Sequence, residues 1–266
     1  MMIGLTKGYS MNILIVLAHP ERQSLNGALV DIAARELGSL GHEVRLSDLY
    51  RMEWKATVDR ADFPHQTTGE PFNVAAASAQ AYKSGELTED VKEEQEKLLW
   101  ADAVIFQFPL WWFSAPAILK GWIERVFSAG FAYGTGKSYG DGSMKGKRAM
   151  LSVTIGGTEH DYAARGICGP IEDLLFPLTH GTLFYTGFAT LPSFLVYNAD
   201  RLEDYGEGFP AVVDRFRDRL ATLETTPPIA FRSAASGDYD PKTRELRPGL
   251  EEAHAHGFNL HIKKLS

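Results

Sequence analysis

An α/β fold, a doubly wound sheet of five parallel strands with a small C-terminal appendage, is predicted by three features of this 266-residue chain. Short apolar runs at 12–17 and 104–108 have the pattern of buried strands, and 148–154 reads as a further strand. Stretches with apolar residues at helical spacing alternate with them, as in βαβ units. The loops after these strands carry Ser, Asn, Gly and clustered aromatics, and in open α/β sheets ligands bind at that carboxyl edge.

The first strand, NILIVL, ends in the loop Ala18-His19-Pro20-Glu21-Arg22-Gln23-Ser24-Leu25-Asn26. Ser24 or Asn26 can cap the next helix, which shows Leu29, Ile32, Ala33 and Leu37 on one stripe. The same Ser/Asn pair at a helix start can instead cradle phosphate, so two readings stand here. The loop has neither G-x-G-x-x-G nor G-x-x-x-x-G-K-[ST], which argues against a Rossmann dinucleotide site and a P-loop nucleotidase. Residues 43–49 form the second strand. Residues 51–87 read as a long polar loop, and 88–100 as a charged helix capped by Thr88.

The third strand, 104–108, stops at Pro109. Leu110, Trp111, Trp112 and Phe113 follow, then Ser114-Ala115-Pro116 opens a helix running through Trp122 and Phe127. Bulky aromatics are poor turn formers, so this corner is either buried core or a wall for something flat. After a glycine-rich loop, 130–146, the fourth strand ends in Ile155-Gly156-Gly157-Thr158. Adjacent glycines there allow a ligand close to the backbone and permit positive φ, or simply make a turn. A helix near 171–178, a fifth strand at 182–188, an extension at 194–197 and a helix over 209–223 complete the body. The chain therefore divides into a loosely held start (1–10), a main domain (11–224) and a proline-interrupted appendage (225–266).

Lys and Arg total 27 against 34 Asp and Glu, a net charge of −7, so the chain has no general attraction to nucleic acid or anionic membranes. Its one cysteine, Cys168, excludes an internal disulfide and suits a reducing cytoplasm. No apolar run approaches the roughly 18 residues of a membrane helix, and MMIGLTKGYS lacks the apolar core of a signal peptide. His254, His256 and His261 lack metal-ligand spacing and are expected to be solvated.

The β-α-β order with ligand loops after strands one, three and four is flavodoxin-like. The segment FQFPLWWFSAPAILKGWIERVFSAGFAY, with AHPERQSLN before it and SVTIGGTEHDY after it, closely resembles the NAD(P)H:quinone oxidoreductase (DT-diaphorase) family over roughly residues 12–225. The resemblance implies an oxidoreductase: a homodimer with one FAD per subunit (FMN being possible), NAD(P)H as co-substrate, and a quinone or other flat aromatic acceptor. It implies that Pro109, Leu110, Trp112 and Phe113 meet the flavin ring, and that Thr154, Gly156 and Gly157 lie along its edge. His19, Ser24, Leu25 and Asn26 hold the phosphate side, and Asn73 reaches the adenosine part from the partner. Tyr162, with the Gly156 and Gly157 N–H groups, is the implied catalytic set. Trp112, Phe113, Tyr133, Thr135 and Cys168 are the implied substrate pocket, with Tyr133 closing it from the other subunit.

The sequence departs from the family pattern in four places. The family has a histidine six residues after the catalytic tyrosine; here that place is Cys168, a weaker proton donor at neutral pH. His160 is a candidate substitute. A pocket tyrosine becomes Thr135, which widens the cavity, and Trp111 stands for a polar residue. The family's arginine near the adenine phosphate has Arg201 and Arg215 as candidates. The implied reaction is ping-pong hydride transfer through flavin N5, reducing quinone to hydroquinone. Two alternatives share the scaffold: an azo- or nitroaromatic reductase, and an ancillary regulatory subunit of a potassium-efflux system.

Overall fold

The computed structural model describes residues 10–64, 71–253, 255 and 257–263. Parallel pairing sets the strand order β2 (Glu43–Asp48), β1 (Asn12–Leu17), β3 (Ala103–Pro109), β4 (Arg148–Thr154), β5 (Ala189–Thr190), with β6 (Phe194–Val196) also on β4. β5 meets the start of β4 and β6 meets its end, so the two short pieces fill one fifth strand position broken at Pro192. The five parallel positions expected from the sequence are thus present. β1, β3 and β4 are buried along nearly their whole length because helices cover both faces.

Helix α1 (Leu25–Ser39) packs Leu29, Ile32 and Leu37 onto one face, beside Val212, Phe216 and Leu220 of the last long helix. The opposite face holds Phe106, Leu119, Trp122, Leu98, Ile171 and Leu175. These come from β3 and from α3 (Glu89–Trp100), α4 (Ala117–Val126) and α5 (Ile171–Leu178). Buried Glu94 in α3 accepts from Trp122 Nε1 at 2.8 Å and pairs with Lys97 at 2.5 Å. Two further helices follow β6: the short α6 (Leu202–Tyr205) and then α7 (Phe209–Ala221), the last long helix.

Several expectations fail for identifiable reasons. Residues 182–188 are not a strand: a π-helical turn, Thr179–Phe184, continues α5, and the strand begins only at Ala189. Pro177 inside α5 cannot donate to the helix ladder, and the chain widens there, with Tyr185 N–H reaching His180 O at 2.9 Å. Residues 51–87 are not all loop. They contain a 3-10 turn, Arg60–Asp62, and a helix α2 (Val74–Ser84), whose N-cap Asn73 accepts from Ala76 N–H at 3.0 Å. The irregular part is clamped by Arg125. Its buried guanidinium pairs with Asp62 at 2.8 Å and Asp90 at 2.6 Å, donates to Lys55 O and Thr88 Oγ1, and stacks over Trp54. Thr88 stands at the N-cap of α3 but its side chain makes no capping bond. α4 starts at Ala117 after N-cap Pro116, so Ser114 belongs to the preceding turn. The expected loose start, apart from Ser10, lies outside the described residues, as do His254 and His256.

The C-terminal segment lies against α5 and the π-turn. Phe231 packs edge-on to Phe176 and pairs with Ile262 through a bridge. Buried Arg232 donates to Leu250 O and Leu260 O and pairs with Asp238. His261 is not solvated. It is half-buried, stacked on His180, and hydrogen-bonded to the Tyr239 hydroxyl at 2.8 Å. None of the described residues forms a cluster of three metal-binding side chains. No helix among them is long and apolar enough to cross a membrane.

Candidate active site at the carboxyl edge

The ends of β1, β3 and β4 lie side by side, with Leu17 opposite Gln107 and Pro109 opposite Thr154. Three loops leave from this edge, and one buried polar network ties them together. Asn26 Nδ2 donates to Thr154 Oγ1 at 2.9 Å, and Gln107 Nε2 donates to Asn26 Oδ1 at 2.8 Å. Asn26 is 3 % exposed, so its side chain is used inside the protein and fixes the α1 start against β3 and β4. Gln107 was not singled out from the sequence. The signal was there, a lone amide in the apolar run VIFQFP, but its partner is 81 positions away.

In the first loop, Ser24 is the N-cap of α1 and its side chain accepts from Gly27 N–H. The N–H groups of Leu25 and Asn26 therefore head a helix without intrahelical partners, the usual anion-facing arrangement. His19 Nδ1 takes the Glu21 N–H at 3.0 Å, which orients the loop, and the ring lies 6.0 Å from that of Trp111. A Cβ on Gly27 would come within 1.9 Å of Arg22 O, so the loop closes over α1 only with glycine there.

In the second loop, Leu110 N–H continues the ladder to Thr154 O at 2.8 Å. Trp111 and Ser114 then pair across a four-residue turn, with both bonds at 3.0 Å. Its two central residues are Trp112 (φ 48°) and Phe113 (φ 58°), the left-handed conformation a type I′ turn demands. For L-residues that costs roughly 1–2 kcal/mol each. The turn also puts apolar rings in water, Trp112 at 95 % and Phe113 at 49 % exposure. The corner is not buried core. Strained backbone and exposed aromatics at one place point to a binding surface.

In the third loop, Gly156 and Gly157 do not adopt positive φ, contrary to one expectation. They are needed for close approach: a Cβ on Gly156 would meet Asp200 Oδ2 at 2.9 Å, and one on Gly157 would meet the Tyr162 ring at 3.0 Å. Thr158 and Asp161 form a capping box that starts the 3-10 turn Glu159–Tyr162. Cys168 N–H bonds to Asp161 O at 2.9 Å and folds the loop back. This brings Cys168 close enough to the half-buried Tyr162 phenol to influence its ionisation. Burial raises the Tyr162 pKa and Cys168 adds to the rise, so the phenol stays protonated at neutral pH. His160 is exposed, and the side chain that meets the phenol is Cys168.

Tyr133 and Thr135 lie elsewhere in the subunit. Their loop joins the end of α4 to the start of β4, so it belongs to the amino edge of the sheet. There Tyr133 packs on Tyr185 at 5.7 Å, and Thr135 is exposed in the Gly134–Lys137 turn. The two arginine candidates now separate. Arg215 is held by Glu207 and Leu195 O, whereas Arg201, next to the Asp200 that faces Gly156, lies over the Tyr205 ring with no ion pair among the described residues.

Comparison with known proteins matches a family model described as flavodoxin-like fold over residues 11–220. The chain is 48 % identical over 261 residues to a ribosyldihydronicotinamide dehydrogenase-like protein, traD, of Penicillium crustosum, covering 95 % of this chain and 96 % of that one. It is 40 % identical to NAD(P)H dehydrogenase (quinone) 1 of Rattus norvegicus over 230 residues, 85 % of this chain and 82 % of the relative. Among solved structures, a Klebsiella pneumoniae protein provisionally described as a quinone reductase superposes with a TM-score of 0.90 at 48 % identity, covering 95 % of this chain and 100 % of that one.

Proposed function

The chain belongs to the NAD(P)H:quinone oxidoreductase family, an oxidoreductase family of flavodoxin-like fold, and from that premise we propose that its carboxyl edge holds FAD and reduces quinones to hydroquinones by ping-pong hydride transfer. The observation that carries this reading is the Trp111–Ser114 turn, which spends backbone strain to hold two aromatic rings out beside the Gly156-Gly157 approach. The residues present fit a flavin. Leu110, Trp112 and Phe113 offer a flat wall, the two glycines leave space for a ring edge, and Ser24 with the Leu25 and Asn26 N–H groups offers a phosphate cradle. A bound flavin supplies the two-electron hydride chemistry that side chains lack.

This chain's own residues orient and polarise. The protonated Tyr162 hydroxyl and the Gly156 and Gly157 N–H groups are donors for negative charge developing at the reaction centre. Cys168, at the place of the family's histidine, is the neighbour that with burial keeps the Tyr162 hydroxyl protonated. Asn26, Gln107 and Thr154 keep the three loops in register. Tyr133 and Thr135 are on the wrong edge to reach their own subunit's site, so a second copy delivers them, and the enzyme works as a homodimer. Asn73, the cap of α2, is assigned the adenosine side in trans, and residues 11–224 are the catalytic unit with 225–266 as its appendage.

Relatives named for ribosyldihydronicotinamide and for NAD(P)H match over most of this chain, so both hydride donors belong in the assay. Purified protein is expected to be yellow, to release FAD on denaturation, and to give parallel-line kinetics with menadione. Colourless protein that retains neither FAD nor FMN after reconstitution would sink the reading. FMN alone on the released-flavin chromatogram would correct the cofactor. Preferred turnover of an azo dye would replace the acceptor.

A further inference from the structure

Between the end of α5, the π-turn and the C-terminal segment lies a cavity of about 720 Å³. No residue assigned above to flavin or quinone lines it. Its volume falls within the range of small-molecule sites. One wall is a ring stack: Phe258 on Phe176 at 4.1 Å and 17°, and Phe176 on His180 at 4.5 Å and 16°. Tyr139 adds a tilted ring 5.1 Å from His180. The imidazole of His180 is neutral at physiological pH, because burial pushes its pKa down to about 4, and its Nε2 has no hydrogen-bond partner.

Another wall includes a hairpin-like turn that bridges Tyr239 to Leu246. The lining as a whole carries an excess of positive charge. Arg232, Arg244 and Arg247 line the cavity against one acid, Asp240. Asp240 is committed to its turn, where Oδ1 accepts from the Lys242 and Thr243 N–H groups. Arg232 is engaged at all three nitrogens by Asp238 and two carbonyls. Arg247 uses Nε on Gly237 O. Arg244 sits at φ 62° with its N–H tied to Asp240 O, and its guanidinium has no ion pair or hydrogen bond among the described residues. A cation presented on strained backbone beside flat apolar walls is a built arrangement.

We propose that this cavity is a second ligand site that takes a flat aromatic acid of two or three rings, with the rings along the Phe176–His180 wall and the carboxylate at Arg244 and Arg247. A nucleotide also combines a ring with an anion, but it needs polar partners for its sugar and base edges. Of the wall's polar side chains, the Tyr239 hydroxyl is already bonded to His261 and Asp240 to its turn, and the unpartnered Nε2 of His180 is a single atom, too few for both a sugar and a base edge. The aromatic acid is therefore the better match.

The test is calorimetric titration of the full-length protein with 2-naphthoate, which cannot accept hydride as a quinone does. Binding at one site per chain is expected, weakened at least 10-fold by the double variant Arg244→Ala, Arg247→Ala and abolished by Ala235→Trp, which plugs the cavity from an exposed turn. Thermal melts check that the variants fold, and menadione turnover, expected to stay unchanged, reads the carboxyl-edge site independently. The proposal fails if the wild type does not bind, if 2-naphthalenemethanol binds as well as the acid, if binding survives Ala235→Trp, or if AMP binds more tightly than 2-naphthoate. Absence of flavin or turnover would count against the carboxyl-edge reading alone.

Discussion

Two aromatic clusters in this molecule have opposite physical characters. At the carboxyl edge, Trp112 and Phe113 stand in solvent on left-handed backbone. Around α5, Phe176, His180, Phe184 and Phe231 are all below 10 % exposure and pack ring against ring. The second cluster repays the chain for folding through buried area. The first opposes folding, through strain and through apolar surface left wet. A lone chain gains nothing from such a turn, so its benefit has to come from what binds there. The contrast locates function by what each cluster costs rather than by its composition, since both are equally aromatic.

The sharpest way to break this contrast is to truncate one ring on each side. Phe176→Ala should lower unfolding free energy by about 3–5 kcal/mol in urea titrations while specific activity of the folded fraction changes little. Replacing Trp112 by Asn together with Phe113 by Gly should do the reverse. The turn then has residues that favour positive φ, and stability should rise by about 2 kcal/mol. Menadione turnover should fall on the order of 100-fold as the wall is lost. A double variant that loses stability would mean the turn is structural.

Tyr162→Phe keeps the ring against Gly157 and removes only the donor. We expect kcat to fall on the order of 100-fold with bound flavin and melting temperature unchanged. Cys168→Ala should produce a smaller, several-fold loss, because the thiol acts through the tyrosine. A further effect concerns pH and leaves neutral solution untouched. The His180 pKa is depressed to about 4 in the folded state, from an ordinary value of 6.5. The unfolded chain therefore binds its proton first, and stability contributed by neutral His180 is intact above about pH 6.5 and declines as pH falls toward 4. His180→Phe should flatten that part of a melting-temperature profile, and an unchanged slope would show that other groups set it.

The three central strands were legible because apolar runs flanked by glycine and proline admit few other readings. The fifth strand was misplaced because TLFYTGF has the aromatic and β-branched content of a strand. What decides its form is Pro177, which disturbs the helix ladder before it. The residues around the candidate site could be named from their motifs, but not what each does. The resemblance puts Asn26 on the phosphate side without saying which of its atoms serves there; its side-chain amide is taken up by Thr154 and Gln107, contacts that depend on pairing three strands. The aromatic corner stayed ambiguous because φ is not written in a sequence, and two consecutive left-handed aromatics are rarely worth assuming. The C-terminal cavity was invisible for another reason. Its walls come from α5, the 139 region and the tail, and nothing in their spacing announces that they meet.

The break at Pro192 shapes the outer edge of the sheet. It leaves the outer sheet position as pieces of two and three residues, too short to template a neighbouring strand. The opposite edge, β2, carries Glu43, Arg45 and Asp48. With one rim fragmented and the other charged, neither edge is a good template for a further strand, and the unpaired backbone that feeds fibrous growth offers little regular edge to start from.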